Sequence, residues 1–149
     1  MVSDIDTDIV TTSVSGVVAS GDTTGLGSNN AALLSMLSLD KSTLLDGSEQ
    51  QDILQWDFDS STETFDYLAT GESLTLTYTI EVEDSQGATD TQDVVITING
   101  TNDAPVVTVP GSAYSFTEQG SLNIHGTGFS VADVDDNGGA MTATFAVGE

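Results

Sequence analysis

Residues 73–83 alternate strictly, with Leu74, Leu76, Tyr78, Ile80 and Val82 set against Thr75, Thr77, Thr79 and Glu81. A period of two puts the apolar set on one face, which predicts a half-buried strand. Asp84-Ser85-Gln86-Gly87 then supplies turn chemistry, and Val94, Ile96 and Ile98 resume the alternation. The two stretches together predict a hairpin of long antiparallel strands. Leu54, Trp56 and Phe58 fall on one side and Gln55 and Asp57 on the other. That pattern predicts a third strand, with Trp56 filling the core. Residues 9–19, rich in Val, Thr and Ser, predict another strand that ends at Gly21. The period changes over 29–39, where Leu33, Leu34 and Leu37 stand at helical spacing behind Asn29, a residue able to cap a first turn. One short helix is expected there, and a single further turn over 65–69, closed by Gly71. Strands separated by turn signals, with little helix, define an all-β, antiparallel sandwich with Greek-key connections.

An internal echo sets the domain layout. Val2-Ser3-Asp4-Ile5-Asp6 recurs as Val131-Ala132-Asp133-Val134-Asp135, and a Thr-rich apolar run follows each copy. The chain is therefore expected to start and stop within repeats. Between the copies lies Gly100-Thr101-Asn102-Asp103-Ala104-Pro105, a polar stretch whose proline interrupts any ladder and which reads as the junction. Residues 1–104 then form a first unit that lacks its first strand, the equivalent of 106–130. Residues 105–149 form the N-terminal part of the next, with strands expected near 113–118 and 140–147. An unpaired edge is a template for another strand, so strand exchange with the tail or with a neighbouring molecule is expected.

Charge narrows the function. In 149 residues, 24 are acidic and a single one, Lys41, is basic, a formal charge of −23 that excludes nucleic acid and an anionic membrane surface as electrostatic partners. The 38% apolar fraction, in alternating runs, argues for a packed fold rather than disorder. Cysteine is absent, so disulfides and thiolate chemistry are excluded and any metal must be held by oxygen, which selects hard cations. Nowhere is there an apolar run of about 18 residues, so no direct membrane insertion by a helix is expected.

The order of motifs carries a family likeness. Phe65-Asp66-Tyr67-Leu68-Ala69 leads to Gly71-Glu72-Ser73-Leu74-Thr75, then to Asp84-Ser85-Gln86-Gly87 and finally to Gly100-Thr101-Asn102-Asp103-Ala104-Pro105. Over residues 1–105 this resembles the VCBS repeat of large bacterial RTX-type adhesins. The resemblance implies a cadherin-like or immunoglobulin-like sandwich, secretion to the bacterial cell surface, calcium at the joints between adjacent repeats of one polypeptide, and a role in adhesion and biofilm. The missing first strand is the departure from that pattern.

Calcium takes six to eight oxygens from carboxylates, amides, backbone and water, so acidic residues converging from separate loops make a site. Asn102 and Asp103 of the linker, Asp133 and Asp135 at a strand end, and Glu118 from the preceding strand are expected to gather at one pole. Cadherin-like modules place similar residue types around junction calcium, and the resemblance extends to those five positions. By the repeat, Asp4 and Asp6 mark the equivalent upstream pole. Two carboxylates 4 Å apart repel by about 4 kcal/mol at an effective dielectric near 20, so such a gathering calls for a cation. An EF-hand is excluded although Asp133-Val134-Asp135-Asp136-Asn137-Gly138 mimics its opening, because Thr144 stands where a bidentate Glu is required. Catalysis is not expected: the single histidine, His125, has no cysteine and little serine context, and acid count alone does not make a glycosidase. The alternative function is a carbohydrate- or ice-binding sandwich that uses a sheet face or loop tips.

Overall fold

The computed structural model describes residues 1–109, 111, 117–120 and 128–144. These form an all-β, sandwich-like fold with one short helix. In chain order the elements are β1 (Val2–Ser3), β2 (Ile9–Gly21), α1 (Asn30–Ser35), β3 (Leu37–Leu39), β4 (Thr43–Asp46), β5 (Gln51–Asp52), β6 (Trp56–Phe58), β7 (Ser73–Asp84), β8 (Thr89–Asn99), β9 (Val106–Thr108) and β10 (Ser130–Ala132). The main sheet has the order β4-β2-β7-β8, every neighbouring pair antiparallel. The chain leaves this sheet after β4 and returns as β7 beside β2, a long crossover of the Greek-key kind. Two-stranded ladders, β3–β6 and β1–β5, lie outside that sheet, and β9 pairs with β10.

The β7–β8 hairpin follows the alternation residue for residue. Leu74, Leu76 and Tyr78 are fully buried and Ile80 nearly so, while the intervening Thr side chains are half-buried on the other face. In β2 the apolar phase slips by one: Val10, Thr12 and Val14 face inward before residue 15, Val17 and Ala19 after it. A bulge between Val14 and Gly16 absorbs the extra residue and keeps both halves on the core. Asn29 caps α1 through its side-chain oxygen, which accepts the Ala32 N–H at 3.0 Å. The helix is shorter than its leucine spacing predicts. It stops at Ser35 because Leu37 and Leu39 are claimed by pairing with Phe58 and Trp56 in β6.

Helix and main sheet meet around Tyr78, whose hydroxyl donates to the Leu33 carbonyl at 2.8 Å and whose ring takes the edge of Phe58 at 6.3 Å. Burying that phenol without this partner would leave a costly unsatisfied group, and burial raises its pKa. The 65–69 segment is a single turn, closed by the Leu68 N–H on the Phe65 carbonyl, and it packs Phe65 and Leu68 into the core.

Two strand expectations need correction. Trp56 does not fill the core: it is 49% exposed, while Leu54 and Phe58 on the same side pack against the buried cluster. The indole lines a groove together with Leu54, Val82 and Val94. Residues 140–144 are not strand, and 145–147 lie outside the described residues. Of the expected strand near 113–118, residues 117 and 118 open a turn closed by the Gly120 N–H on the Thr117 carbonyl, and 113–116 lie outside the described residues, as does His125.

Candidate functional site

Strand β7 has a pole at each end. With 12 residues and a rise of about 3.4 Å per residue, the two poles lie roughly 37 Å apart.

At the end where β7 starts, Glu72 ties three segments together. Its Oε2 accepts the Ala69 N–H at 3.0 Å, its carbonyl accepts the Gly100 N–H at 3.0 Å, and its Oε1 accepts Asn137 Nδ2 at 2.6 Å. Gly100 sits so close to the 65–71 turn that a Cβ would lie 2.3 Å from the carbonyl oxygens of both Leu68 and Ala69. Only glycine lets the chain leave β8 along this path. Beyond it, the Asp103 N–H donates to Asp135 Oδ2 at 3.1 Å, and Asp135 is buried, 7% exposed. Beside Asp135, Asp133 Oδ1 is buried with no hydrogen-bond partner. A proton shared with Asp135, then burial, pushes the Asp133 carboxyl above the usual carboxylate range. Two carboxyls pressed together in this way, one with an orphaned oxygen, fit a hard cation that would take the place of the proton.

Of the five positions expected here, Asp133, Asp135 and the Asp103 backbone come together. Asn102 is exposed, and its amide donates to the Asp103 carbonyl. Glu118 is exposed in its turn. Glu72 was not among the expected residues, although Gly71-Glu72-Ser73 is one of the motifs that carry the resemblance, and it acts as a tie between segments. Its role depends on Asn137, 65 residues away.

At the far end of β7, Asp4, Asp8 and Asp84 each offer a carboxylate oxygen within 4.8 Å of the others. Asp4 follows β1, Asp8 precedes β2 and Asp84 closes β7, so three separate elements converge. Asp4 Oδ1 accepts the Asp6 N–H at 2.8 Å. Asp84 Oδ1 accepts the N–H groups of Gln86 and Ala88 at 2.8 Å, which organises the β7–β8 turn and aims its carboxylate. Asp6, expected as the second ligand, is exposed and contributes its backbone amide instead of its carboxylate. The repeat equates Asp6 with Asp135, but no linker amide is bonded to Asp6 among the described residues.

Lys41, the single Lys or Arg, pairs with Asp52 of β5, close to β1 and not to the junction. The outer face of the main sheet carries Thr75 opposite Thr97 and Thr77 opposite Val95, but Thr79 faces Asp93 and Glu81 faces Thr91, so the hydroxyl rows are broken by carboxylates. Comparison with protein-family models, with curated proteins and with solved structures gives no match.

Proposed function

We propose that the chain is a non-enzymatic, calcium-rigidified spacer repeat of a large secreted bacterial surface adhesin, related to VCBS repeats, whose partners are the adjacent repeats of the same polypeptide. The observation that carries this reading is the Asp133–Asp135 pair: two carboxyls in contact at the junction, one oxygen buried without a partner, and the linker amide of Asp103 bonded to the other residue. Repulsion of this kind persists only if a proton or a cation joins the pair. The Asp4–Asp8–Asp84 group at the opposite pole supports the same reading, because a rod of repeats needs a joint at each end. Asp133 and Asp135 would hold calcium at one pole, and Asp4, Asp8 and Asp84 at the other, with water and backbone carbonyls completing six to eight oxygens. An ion shared by strand end and linker fixes the angle between successive sandwiches, and that rigidity projects a distal adhesive domain from the cell.

The test is a calcium titration followed by thermal melting, with and without chelator, on the wild type and on Asp133→Asn. Calcium raises the wild-type melting temperature, and the variant loses part of the gain. Equal melting with and without calcium in the wild type overturns the reading.

One observation favours the second reading, a carbohydrate-binding module: Trp56 is half exposed at the mouth of a groove. Sugar titration monitored by the emission of this single tryptophan separates the two, since the spacer reading expects no response.

A further inference from the structure

The chain contains two Asn-Gly pairs, Asn99-Gly100 and Asn137-Gly138. A glycine after asparagine carries no Cβ to shield its own amide nitrogen, so that nitrogen can reach the asparagine Cγ and close a five-membered ring. Whether the ring closes depends on how freely the peptide between them turns, and in this the two pairs differ.

Asn99 ends β8 in register with Ser73 of β7, and the Gly100 N–H is held by the Glu72 carbonyl at 3.0 Å. A Cβ at Gly100 would lie 2.3 Å from two carbonyl oxygens, so packing leaves the peptide no room to rotate. Asn137-Gly138 lies in an exposed turn outside any ladder. Its residues have φ of 48° and 80°, and a second glycine, Gly139, follows. A Cβ at Gly138 would meet nothing within 4 Å. The Gly138 N–H donates to Asp136 Oδ1 at 3.0 Å, so the nitrogen that must lose a proton already faces a carboxylate. We infer that Asn137-Gly138 is a self-modification site, where the Asn137 amide converts to a carboxylate without an enzyme and thereby releases the contact between this turn and the start of β7.

The Gly138 nitrogen gives up its proton and bonds to Asn137 Cγ. The Cγ–Nδ2 bond then breaks, and Nδ2 leaves as ammonia with that proton. Water opens the ring at either carbonyl and yields aspartate or its isoaspartyl isomer, so asparagine and water become acid and ammonia. The departing nitrogen is the one that reaches across to the main sheet: Asn137 Nδ2 donates to Glu72 Oε1 at 2.6 Å, and Glu72 Oε2 holds the Ala69 N–H. Conversion puts a carboxylate where that donor stood. Acceptor then faces acceptor and negative charge faces negative charge, so a tie becomes a repulsion. The isoaspartyl form also routes the backbone through the side chain and lengthens the turn.

The experiment is to age the full chain at mildly alkaline pH in chelator, sampling it for peptide mapping by mass spectrometry and for hydrogen exchange. The mass gain of an amide-to-acid exchange accumulates at residue 137, with the isoaspartyl isomer among the products, while residue 99 stays intact. Asn137→Gln needs a larger ring, which misplaces the carbonyl carbon, and it slows conversion about a hundredfold. As conversion proceeds, the amides of Asp103 and of β10 lose protection in proportion, and Asn137→Asp shows that loss without ageing. In Glu72→Gln the introduced amide donates to the carboxylate as it forms, so ageing leaves exchange unchanged. A residue 137 that stays intact, or a residue 99 that converts as fast, overturns the inference, and so does full conversion with undiminished protection. Because every arm is run in chelator, a missing calcium response, which defeats the spacer reading, leaves these outcomes untouched.

Discussion

The two poles carry the same Val-x-Asp-x-Asp sequence and put it to different use. At the junction the second aspartate, Asp135, is buried against the linker amide of Asp103, and its carboxyl presses on Asp133. Upstream the second aspartate, Asp6, is exposed, and Asp4 finds its companions in Asp8 and Asp84 instead. The difference is the linker, whose Asp103 amide bonds the buried Asp135 while Asp133 beside it is half-buried. Upstream the carboxylates are gathered by strand ends alone and remain half-buried. A carboxyl pair pressed together takes up a proton or a cation, whereas carboxylates that converge at the surface are relieved by solvent as well.

The largest expected effect tests what the poles share. Leu76 is fully buried in the middle of β7, so Leu76→Ala costs about 2–5 kcal/mol. Denaturant unfolding reads the same loss with calcium or with chelator, because the strand joining the poles is damaged rather than either pole. Next is calcium itself: at 100 times the dissociation constant each occupied site adds about 2.7 kcal/mol, measured as the rise in melting temperature over the chelated protein. Gly100→Ala, whose Cβ would strike two carbonyl oxygens, costs about 1–3 kcal/mol. It lowers calcium affinity at the junction and leaves that of the upstream trio unchanged, as isothermal titration of Asp4→Asn and Asp133→Asn backgrounds resolves.

The aspartates sharpen the contrast more finely. Asp133→Asn raises the melting temperature in chelator, since it relieves the carboxyl pair, and lowers the gain on adding calcium. Asp6→Asn shifts stability by less than about 0.5 kcal/mol in either condition, as an exposed surface substitution. The smallest effect concerns the lone cation. Hydrogen bonding to Lys41 holds Asp52 below the usual carboxylate range, and the same bond raises the Lys41 pKa above 10.5. The Asp52 contribution is complete above its unfolded pKa and is lost as pH falls through the folded value. That of Lys41 is complete below 10.5 and is lost as pH rises through its folded value. The difference in melting temperature between wild type and Lys41→Met is therefore flat at neutral pH and narrows at both extremes, and it stays small because the pair is exposed to solvent.

Much of the fold was legible because its signals are local. The alternation in β7 and β8, the turn at Asp84 and the Asn29 cap each depend on residues a few positions apart, and each is found where the pattern puts it. Trp56 was misjudged although its side of the strand was right. Whether an inward-facing side chain is covered depends on residues distant in sequence, which no residue near Trp56 encodes. The candidate site divides in the same way. Asp133, Asp135 and Asp4 were expected from spacing and repetition, and the structure sets Asp133 beside Asp135 and Asp4 beside Asp8 and Asp84. Asp8 and Asp84 were not expected, because their neighbours at the pole come from segments as far as 80 residues away along the chain.

The amino-acid sequence alone determined that the chain is an antiparallel β protein, that it has no thiolate to offer a metal, and that its acidic motif occurs twice. Periodicity, composition and repetition are properties of the chain in one dimension. Only the tertiary structure decided which copy of the motif is enclosed, which carboxylates share a pole and where the sandwich stands open. These depend on strand ends brought together by long crossovers, and a carboxylate's electrostatic state follows the neighbours it meets in space, not those beside it in the chain.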